Sequence, residues 1–194
     1  LARLGAGSAC RSVLGGFVEW RRGERADGLD SHAVEVAPSS HWDVVMLVAV
    51  VAEGPKAVSS TGGMERTRAP SPFYEAFLAS IPGDLERARE AVRARDLAAL
   101  GVVMERNCLR MHAAMLGAEP ALVYLRGASL AVTERVQALR HGGIQAYFTI
   151  DAGPNVKVLC EAANADAVIR ALGAVPGVVR VIRAVPGPEA SVVD

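Results

Sequence analysis

Features that mark several classes of protein are scarce in this chain of 194 residues. It has only three cysteines, Cys10, Cys108 and Cys160, which lie far apart and form no CxxC pair. Neither a disulfide framework nor a zinc site is therefore indicated, and a reducing compartment is expected. The four histidines show no spacing typical of metal ligands and are predicted to be surface or packing residues: His32, His41, His112 and His141.

Charge of one sign and long apolar runs are also missing. Lys+Arg and Asp+Glu both number 21, so the net charge is zero and no nucleic-acid partner is predicted. The apolar stretch at residues 44–52 is much shorter than the roughly 20 residues that a membrane helix needs. Its β-branched side chains favour a buried strand instead, and no membrane span is predicted.

An acidic residue directly follows another apolar run, in the last third of the chain. Residues 144–150 are rich in β-branched and aromatic side chains and predict a buried strand, which ends just before Asp151. Gly153 and Pro154 predict a tight turn, and Asn155 is a residue that tolerates unusual backbone angles. Asp151 is thus expected to be a carboxylate fixed at a strand end, either as a reactive acid or as an Asx-turn acceptor.

Small residues precede a predicted short helix near the start of the chain. Gly5, Gly7 and Ser8 lie ahead of it, and Arg11 lies on its first turns. Backbone N–H groups at a helix start and a planar guanidinium both bind phosphates and carboxylates, so this segment is a candidate anion site. Alternatively, the small residues only cap the helix and allow close packing.

The rest of the chain alternates between predicted strands and helices. Strands are predicted at residues 16–20, 32–37, 43–52, 144–150, 156–160 and 178–185, a helical block at 72–140, and a last helix near 164–172. Within the block, Pro82 and Asp84 mark one helix start, and Asp96 is the N-cap of a longer helix that Gly117 ends. A further helix could begin at Pro120. The order of elements predicts antiparallel strands with helices on one face, an α+β fold.

Four segments together resemble the diphosphomevalonate decarboxylase family, within the superfamily of galactokinase, homoserine kinase, mevalonate kinase and phosphomevalonate kinase. They occur in the family's order, and Ala6 stands where the family has Ser. The segments are Gly5-Ala-Gly-Ser-Ala-Cys-Arg-Ser12 with Gly15-Gly-Phe-Val-Glu-Trp20; Val58-Ser-Ser-Thr-Gly-Gly-Met-Glu-Arg-Thr67 with Ser71-Pro-Phe-Tyr74; Met111-His-Ala113 with Glu119-Pro-Ala-Leu-Val-Tyr-Leu125; and the Asp151 segment.

The resemblance implies a two-domain fold with the active site in the cleft between the domains. Residues 1–52 are expected to be the remainder of an N-terminal domain that binds ATP and substrate, and residues 53–194 a ferredoxin-like C-terminal domain. The crossing would lie near residues 53–55, with a loop at 59–63. The family's Lys-containing substrate strand and Gly/Ser-rich ATP loop have no counterpart, so the chain, which begins at Leu1, is expected to be an N-terminally truncated member.

The family's reaction implies a role for the acidic residue and for the arginine. ATP phosphorylates the C3 hydroxyl of mevalonate 5-diphosphate, and phosphate and CO2 then leave to give isopentenyl diphosphate for isoprenoid and steroid biosynthesis. Asp151 would orient that hydroxyl and take its proton. Arg11 would bind the substrate carboxylate, and its charge would keep Asp151 ionised.

The resemblance also assigns the phosphate groups and the partners. Gly7 and Ser8 would bind the substrate diphosphate, with one contact in doubt because Ala6 lacks a hydroxyl, and Ser60 and Thr61 would bind the ATP phosphates, unless they form an ordinary turn. Mg²⁺ is expected with ATP, although no metal ligand is assigned. Lys157 is predicted to face solvent. A cytoplasmic homodimer without nucleic-acid or membrane partners is expected.

Two alternatives remain. Since Ala6 falls on the diphosphate side of the site, the chain could belong to a mevalonate 3-kinase or a mevalonate-phosphate decarboxylase; Arg11 and Asp151 favour decarboxylation. Alternatively, it is a non-catalytic half that folds only with a partner polypeptide.

Overall fold

The structure is a computed structural model that describes residues 7–54, 58–68 and 71–191, with only the backbone described for Gly7 and Ser8. The strands are β1 (Phe17–Trp20), β2 (Ala33–Ala37), β3 (Val44–Val50), β4 (Ala146–Ile150), β5 (Val156–Glu161) and β6 (Arg180–Ala184). The α-helices are α1 (Ser60–Arg68), α2 (Tyr74–Ala94), α3 (Leu97–Leu116), α4 (Gly127–His141) and α5 (Ala165–Gly173). Short 3-10 helices cover Gly7–Val13, Ser39–His41 and Ala162–Asn164.

Strands β3 to β6 form one sheet in the order β4-β5-β3-β6, and every neighbouring pair is antiparallel. The chain passes from β3 through α1–α4 to β4, and from β5 through α5 to β6. This connectivity is that of a ferredoxin-like fold and confirms the predicted α+β class. Strands β1 and β2 form a separate two-stranded antiparallel ribbon. No end of a described strand differs from its prediction by more than two residues.

Both faces of the four-stranded sheet are buried. Alternate residues of β3, β4 and β5, such as Val45 and Leu47, pack against α4 and α5 in the larger core. The opposite face carries Tyr147 and Leu159, which pack against α2 and α3 in a second core. The prediction of helices on one face is wrong because β3 reads VVMLVAV, with no polar position to leave a face for solvent.

Several helix boundaries differ from prediction. Asp96 is confirmed as the N-cap of α3, since its carboxylate accepts from the Ala99 amide at 2.9 Å, and Gly117 ends that helix. By contrast, α2 begins at Tyr74 and continues through Pro82, so the predicted start at Pro82 is wrong. A proline removes one N–H donor from the helix ladder, and the long helix retains the other turns. The helix expected near Pro120 begins at Gly127.

An ion pair joins the β1–β2 ribbon to the helical layer. The Arg89 guanidinium of α2 donates to both carboxylate oxygens of Glu19 in β1, at 3.0 and 3.2 Å. These hydrogen bonds are the main cause that lowers the pKa of Glu19. The Gly16 amide also donates to the Gly187 carbonyl at 2.9 Å, so the segment after β6 packs beside the ribbon. The Ala190 amide of the same segment donates to the Val13 carbonyl at 3.2 Å, at the end of the 3-10 helix that carries Arg11.

None of the helices in the described ranges is both long enough and apolar enough to cross a membrane.

Candidate functional site

Asp151 lies immediately after β4 and is exposed. Its side chain is 72% accessible, and its carboxylate accepts from the Lys157 ammonium of β5 at 2.6 Å. The Gly153 amide donates to the main-chain carbonyl of Asp151 at 2.7 Å. The strand-end position predicted for Asp151 is therefore confirmed. The Asp151 side chain binds Lys157 across the turn, whereas the hydrogen bond that closes the turn is made by the Asp151 main-chain carbonyl.

The turn after Asp151 is anchored to two other parts of the chain. The buried Ser129 hydroxyl, at the start of α4, donates to the Pro154 carbonyl at 2.6 Å. The side-chain oxygen of Asn155 accepts from the amides of Val51 and Ala52, at 2.9 and 3.1 Å. Asn155 has no positive φ, so its predicted use for unusual backbone angles is wrong. Its amide side chain ties the turn to the end of β3.

Two side chains of α3 bind the last residue of β4. The Ile150 amide donates to Cys108 Sγ at 3.1 Å, and His112 Nε2 lies 3.1 Å from the Ile150 carbonyl. Burial is the main cause that raises the pKa of the Cys108 thiol and lowers the pKa of His112. Cys108 therefore stays a thiol and His112 an uncharged imidazole near neutral pH.

The start of α1 lies beside this turn. Ser59 caps the helix, since its hydroxyl accepts from the Gly62 amide at 3.1 Å, and the Tyr124 hydroxyl donates to the Ser59 carbonyl at 3.1 Å. Val58 and Ala152 pack against one small apolar cluster, so the helix start and the Asp151 turn are neighbours. A cleft of about 220 Å³ lies here, lined by residues 52–54, Val58, residues 122–126, Pro154 and Asn155.

Ser60 and Thr61 are exposed in the first turn of α1. The predicted loop at residues 59–63 is therefore wrong from Ser60 onward, because Ser59 and the glycines that follow it start a helix. A helix start directs unpaired N–H groups outward, and two hydroxyl side chains at that point suit an anion.

The remaining predicted site residues lie in the 3-10 helix Gly7–Val13. Arg11 is exposed there and makes no ion pair with any other described residue. Arg11 was expected to be the cation beside Asp151. In the described ranges the cation that pairs with Asp151 is Lys157. Only the backbone of Gly7 and Ser8 is described, and Gly5 and Ala6 lie outside the described residues altogether.

Sequence reasoning missed the roles of Lys157 and His112. Lys157 lies on the side of β5 opposite the buried Val156 and Val158, as predicted, and its partner there was missed: Lys157 pairs with Thr149 in the sheet register, and Asp151 is two residues further along the same strand direction. Residues two apart share a face of a strand, so this register was the available signal. No local sequence pattern predicted the hydrogen bond of His112, which lies 38 positions from the carbonyl that it binds. Among the described residues, no group of three or more His, Cys, Asp or Glu side chains is placed to hold a metal ion.

Comparison with known proteins gives matches along the chain. The profile of the mevalonate 5-diphosphate decarboxylase C-terminal domain matches residues 46–184, and that of the diphosphomevalonate decarboxylase-like N-terminal domain matches residues 1–33. A diphosphomevalonate decarboxylase of Ganoderma lucidum is 39% identical over 166 residues, which are 81% of this chain and 42% of that protein. The Candida albicans protein of the same name is 36% identical over 183 residues, which are 91% and 51%. The chain thus spans about half the length of the curated relatives it matches.

Solved structures show the same backbone. The crystal structure of mevalonate diphosphate decarboxylase from Staphylococcus aureus matches with a TM-score of 0.88 and 39% identity, over 96% of this chain and 56% of that chain. A structure described as MDDEF in complex with MVAPP, AMPPCP and magnesium matches with a TM-score of 0.87 and 39% identity, over 96% and 57%. Similarity in sequence and in backbone therefore extends over most of the chain.

Proposed function

The chain belongs to the mevalonate 5-diphosphate decarboxylase family, and from that premise we propose that it forms part of an ATP-dependent decarboxylase. The substrate is mevalonate 5-diphosphate and the product isopentenyl diphosphate. The single observation that carries the proposal is the exposed Asp151 carboxylate, paired with Lys157 on a turn anchored at Ser129 and Asn155. The relatives named above carry the name of this activity.

In the proposed reaction, Asp151 accepts a hydrogen bond from the C3 hydroxyl and takes its proton while the γ-phosphoryl group moves from ATP to that oxygen. The bond between carbon and the substrate carboxylate then breaks, its electron pair forms the double bond, and phosphate leaves from C3. Catalysis of phosphoryl transfer depends mainly on positioning and charge. An acid on an anchored turn suits that requirement.

We assign the substrate carboxylate to Arg11 and the diphosphate to Gly7 and Ser8. Arg11 is exposed, and a guanidinium binds a carboxylate through two parallel hydrogen bonds. Gly7 and Ser8 are proposed from the family resemblance alone. Because Arg11 holds the group that is lost, a lysine there would keep the charge but not the paired geometry.

The ATP phosphates are assigned to the start of α1. This helix has nine residues, its first turn is capped by Ser59, and the hydroxyls of Ser60 and Thr61 are exposed there, so the donors fit an anion. Mg²⁺ would arrive with ATP and neutralise part of its charge. Among the described residues no group of three or more His, Cys, Asp or Glu side chains is placed to hold it, and Mg²⁺ at a phosphate commonly keeps several waters.

A second candidate function is favoured by Ala6. This position lacks the hydroxyl that the family uses on the diphosphate side, which fits a mevalonate 3-kinase or a mevalonate-phosphate decarboxylase. Comparing turnover of mevalonate, its 5-phosphate and its 5-diphosphate by the same polypeptide decides between them. Preference for the diphosphate supports the first proposal.

Three further proposals concern the whole protein. The domain division is proposed to lie before β3 rather than at residue 52, because β3 pairs with β5 and β6. The protein is proposed to be a homodimer, which light scattering behind size exclusion tests, and a monomer would reject it. A cytoplasmic location is proposed from the family, and fractionation of cells tests it.

The test of the proposed function is the Asp151→Asn variant of the polypeptide that contains these residues, with any upstream coding region included. ATP-dependent release of CO2 and phosphate from mevalonate 5-diphosphate should fall by about 10²- to 10⁴-fold, the range for loss of a general base. Stability should change by less than about 1 kcal/mol, because the ion pair is exposed. Activity near that of the wild type would reject the assignment of Asp151.

A further inference from the structure

Strand β4 is an outer strand of the sheet, and helices α3 and α4 supply the contacts that a neighbouring strand would make. Among the described strands, only β5 pairs with it. On its other edge, Arg140 donates to the Ala146 carbonyl at 2.6 Å, and the Phe148 amide donates to Glu105 at 3.1 Å. The contacts fall at every second residue of β4, as expected for groups that point away from the paired strand.

The series ends at Ile150, the residue before Asp151. There the amide donates to Cys108 and the carbonyl is bound by His112, so both main-chain groups of Ile150 are held by α3. Glu105, Cys108 and His112 have the spacing i, i+3, i+7, which places them on one face of the helix. The hydrogen bonds from this face go to the main chain at the end of β4, and the Asp151 charge acts on Cys108 and His112 through space.

The chemistry of His112 suits an anchor. Its partner is a carbonyl oxygen, so Nε2 must carry the hydrogen and donate it. The ring is only 3% exposed, and burial lowers the pKa of His112, which keeps the ring uncharged. An uncharged donor holds Ile150 without adding a second cation beside Asp151, which already pairs with Lys157.

We propose that His112, supported by Cys108, is a positioning residue for the reaction: it fixes the end of β4 and thereby the place of the Asp151 carboxylate. The inference rests on the proposed function. Reacting groups must be held to within about 0.5 Å, and a displacement of about 1 Å costs on the order of 10²-fold in rate. The hydrogen bond from His112 is buried and reaches the carbonyl of the residue that precedes Asp151.

The test compares His112→Leu with His112→Gln in the polypeptide that contains these residues. Leucine fills much of the space but cannot donate, whereas the glutamine amide nitrogen can reach the position of Nε2. We expect His112→Leu to lower kcat by about 10- to 100-fold with KM changed less than about twofold, and His112→Gln to recover kcat to within about threefold of the wild type.

His41 is the matched control. It also binds a main-chain carbonyl, that of Val92 at 2.9 Å, but in the layer formed by α2. His41→Leu should leave kcat unchanged even if it lowers the melting temperature by as much as His112→Leu does. An equal loss of kcat in both leucine variants would show a general effect of instability and overturn the inference.

Hydrogen–deuterium exchange separates this inference from the proposed function, because it needs no turnover. Amides in residues 148–153 should exchange faster in His112→Leu, and not in His112→Gln or His41→Leu. Unchanged exchange overturns the anchoring role. If exchange rises but kcat does not fall, the link to catalysis is overturned while the proposed function stands. If the wild-type polypeptide, assayed with any upstream coding region included, has no turnover, the proposed function fails, and the catalytic role of His112 fails with it.

Discussion

The positive charge beside Asp151 comes from Lys157, which is close to it in the fold but has no distinctive pattern around it in the sequence. Lys157 alternates with Val156 and Val158 along β5, as any solvent-facing lysine does. The turn between β4 and β5 folds it back onto Asp151, at 2.6 Å. Asp151 itself could be predicted, because an apolar run and a Gly-Pro turn enclose it. Its partner depends on strand register, which the sequence does not state.

A substitution of Lys157 tests whether this ion pair serves the reaction. We predict that Lys157→Met lowers kcat by about tenfold, because the carboxylate loses the donor that orients it, and that Lys157→Arg keeps most of the activity. Steady-state kinetics of CO2 release measure both. Arg183→Met, which removes an exposed pair with Asp166 elsewhere on the sheet, is the control. Equal rates for wild type and Lys157→Met would show that the pair is only structural.

Protonation of His112 should couple stability to pH. Its pKa is lowered in the folded state, mainly by burial, so the unfolded chain binds the proton more readily. The stability that depends on the neutral ring is fully present above the unfolded pKa of about 6.5 and is lost as the pH falls toward the lowered folded value. Urea unfolding at pH 7.5, 6.5 and 5.5 should therefore show a steeper fall for the wild type than for His112→Gln. Parallel curves would contradict this linkage.

At the level of the elements, apolar periodicity and capping residues predicted most of the helices and strands. The caps of α3 follow from Asp96 and Gly117, which act through local hydrogen bonds. The same local signals did not predict that α2 continues through Pro82, because tertiary contacts support that helix. Buried Asp84 is one of them: it accepts from Arg106 at 2.6 Å and Asn107 at 3.1 Å, both in α3.

Alanine substitutions at two helix glycines are expected to change stability in opposite directions. A Cβ added at Gly101 of α3 would lie 2.0 to 2.3 Å from ring atoms of Tyr147, whereas one at Gly83 of α2 would meet nothing closer than 3.5 Å. Alanine improves helix propensity by about 1 kcal/mol at either site. Overpacking against a buried ring costs about 1–3 kcal/mol, so the clash outweighs that gain at Gly101.

Gly101→Ala should therefore lower the free energy of unfolding, and Gly83→Ala should raise it by up to about 1 kcal/mol. Denaturant unfolding of the two variants beside the wild type measures the difference, and each variant is the control for the other. A stabilised Gly101→Ala would mean that α3 can move away from the sheet, which would also weaken the argument that α3 positions β4.

For the whole molecule, the family and the fold predicted from four sequence segments are confirmed by the matched profiles and by the Staphylococcus aureus structure. The order of the four segments along the chain was enough for this prediction, because the motifs of a family follow one another in a fixed order. The contacts that join the motifs were not predictable in the same way. They include the Asn155 bonds to the residues that follow β3 and the packing of Val58 and Ala152 against one cluster, which join parts of the chain about a hundred residues apart.

The distribution of charged groups leads to a prediction about activity. The described part of the chain contributes an acid, a lysine and a helix start, but no cluster of metal ligands, and the matched relatives are about twice as long as the aligned region. ATP brings several negative charges that need more cations and Mg²⁺. We predict that the 194-residue chain alone releases no CO2 from mevalonate 5-diphosphate.

The same chain preceded by the part of the Staphylococcus aureus relative with which it does not align should release CO2 and phosphate in an ATP-dependent reaction. Both proteins are assayed at equal molar concentration, and the Asp151→Asn form of the fusion is the control for the relative's own contribution. Turnover by the chain alone would show that the described groups suffice. If the fusion instead converts supplied mevalonate to mevalonate 3-phosphate without releasing CO2, the kinase is favoured, because the phosphoryl group then reaches C3 without the loss of the carboxylate.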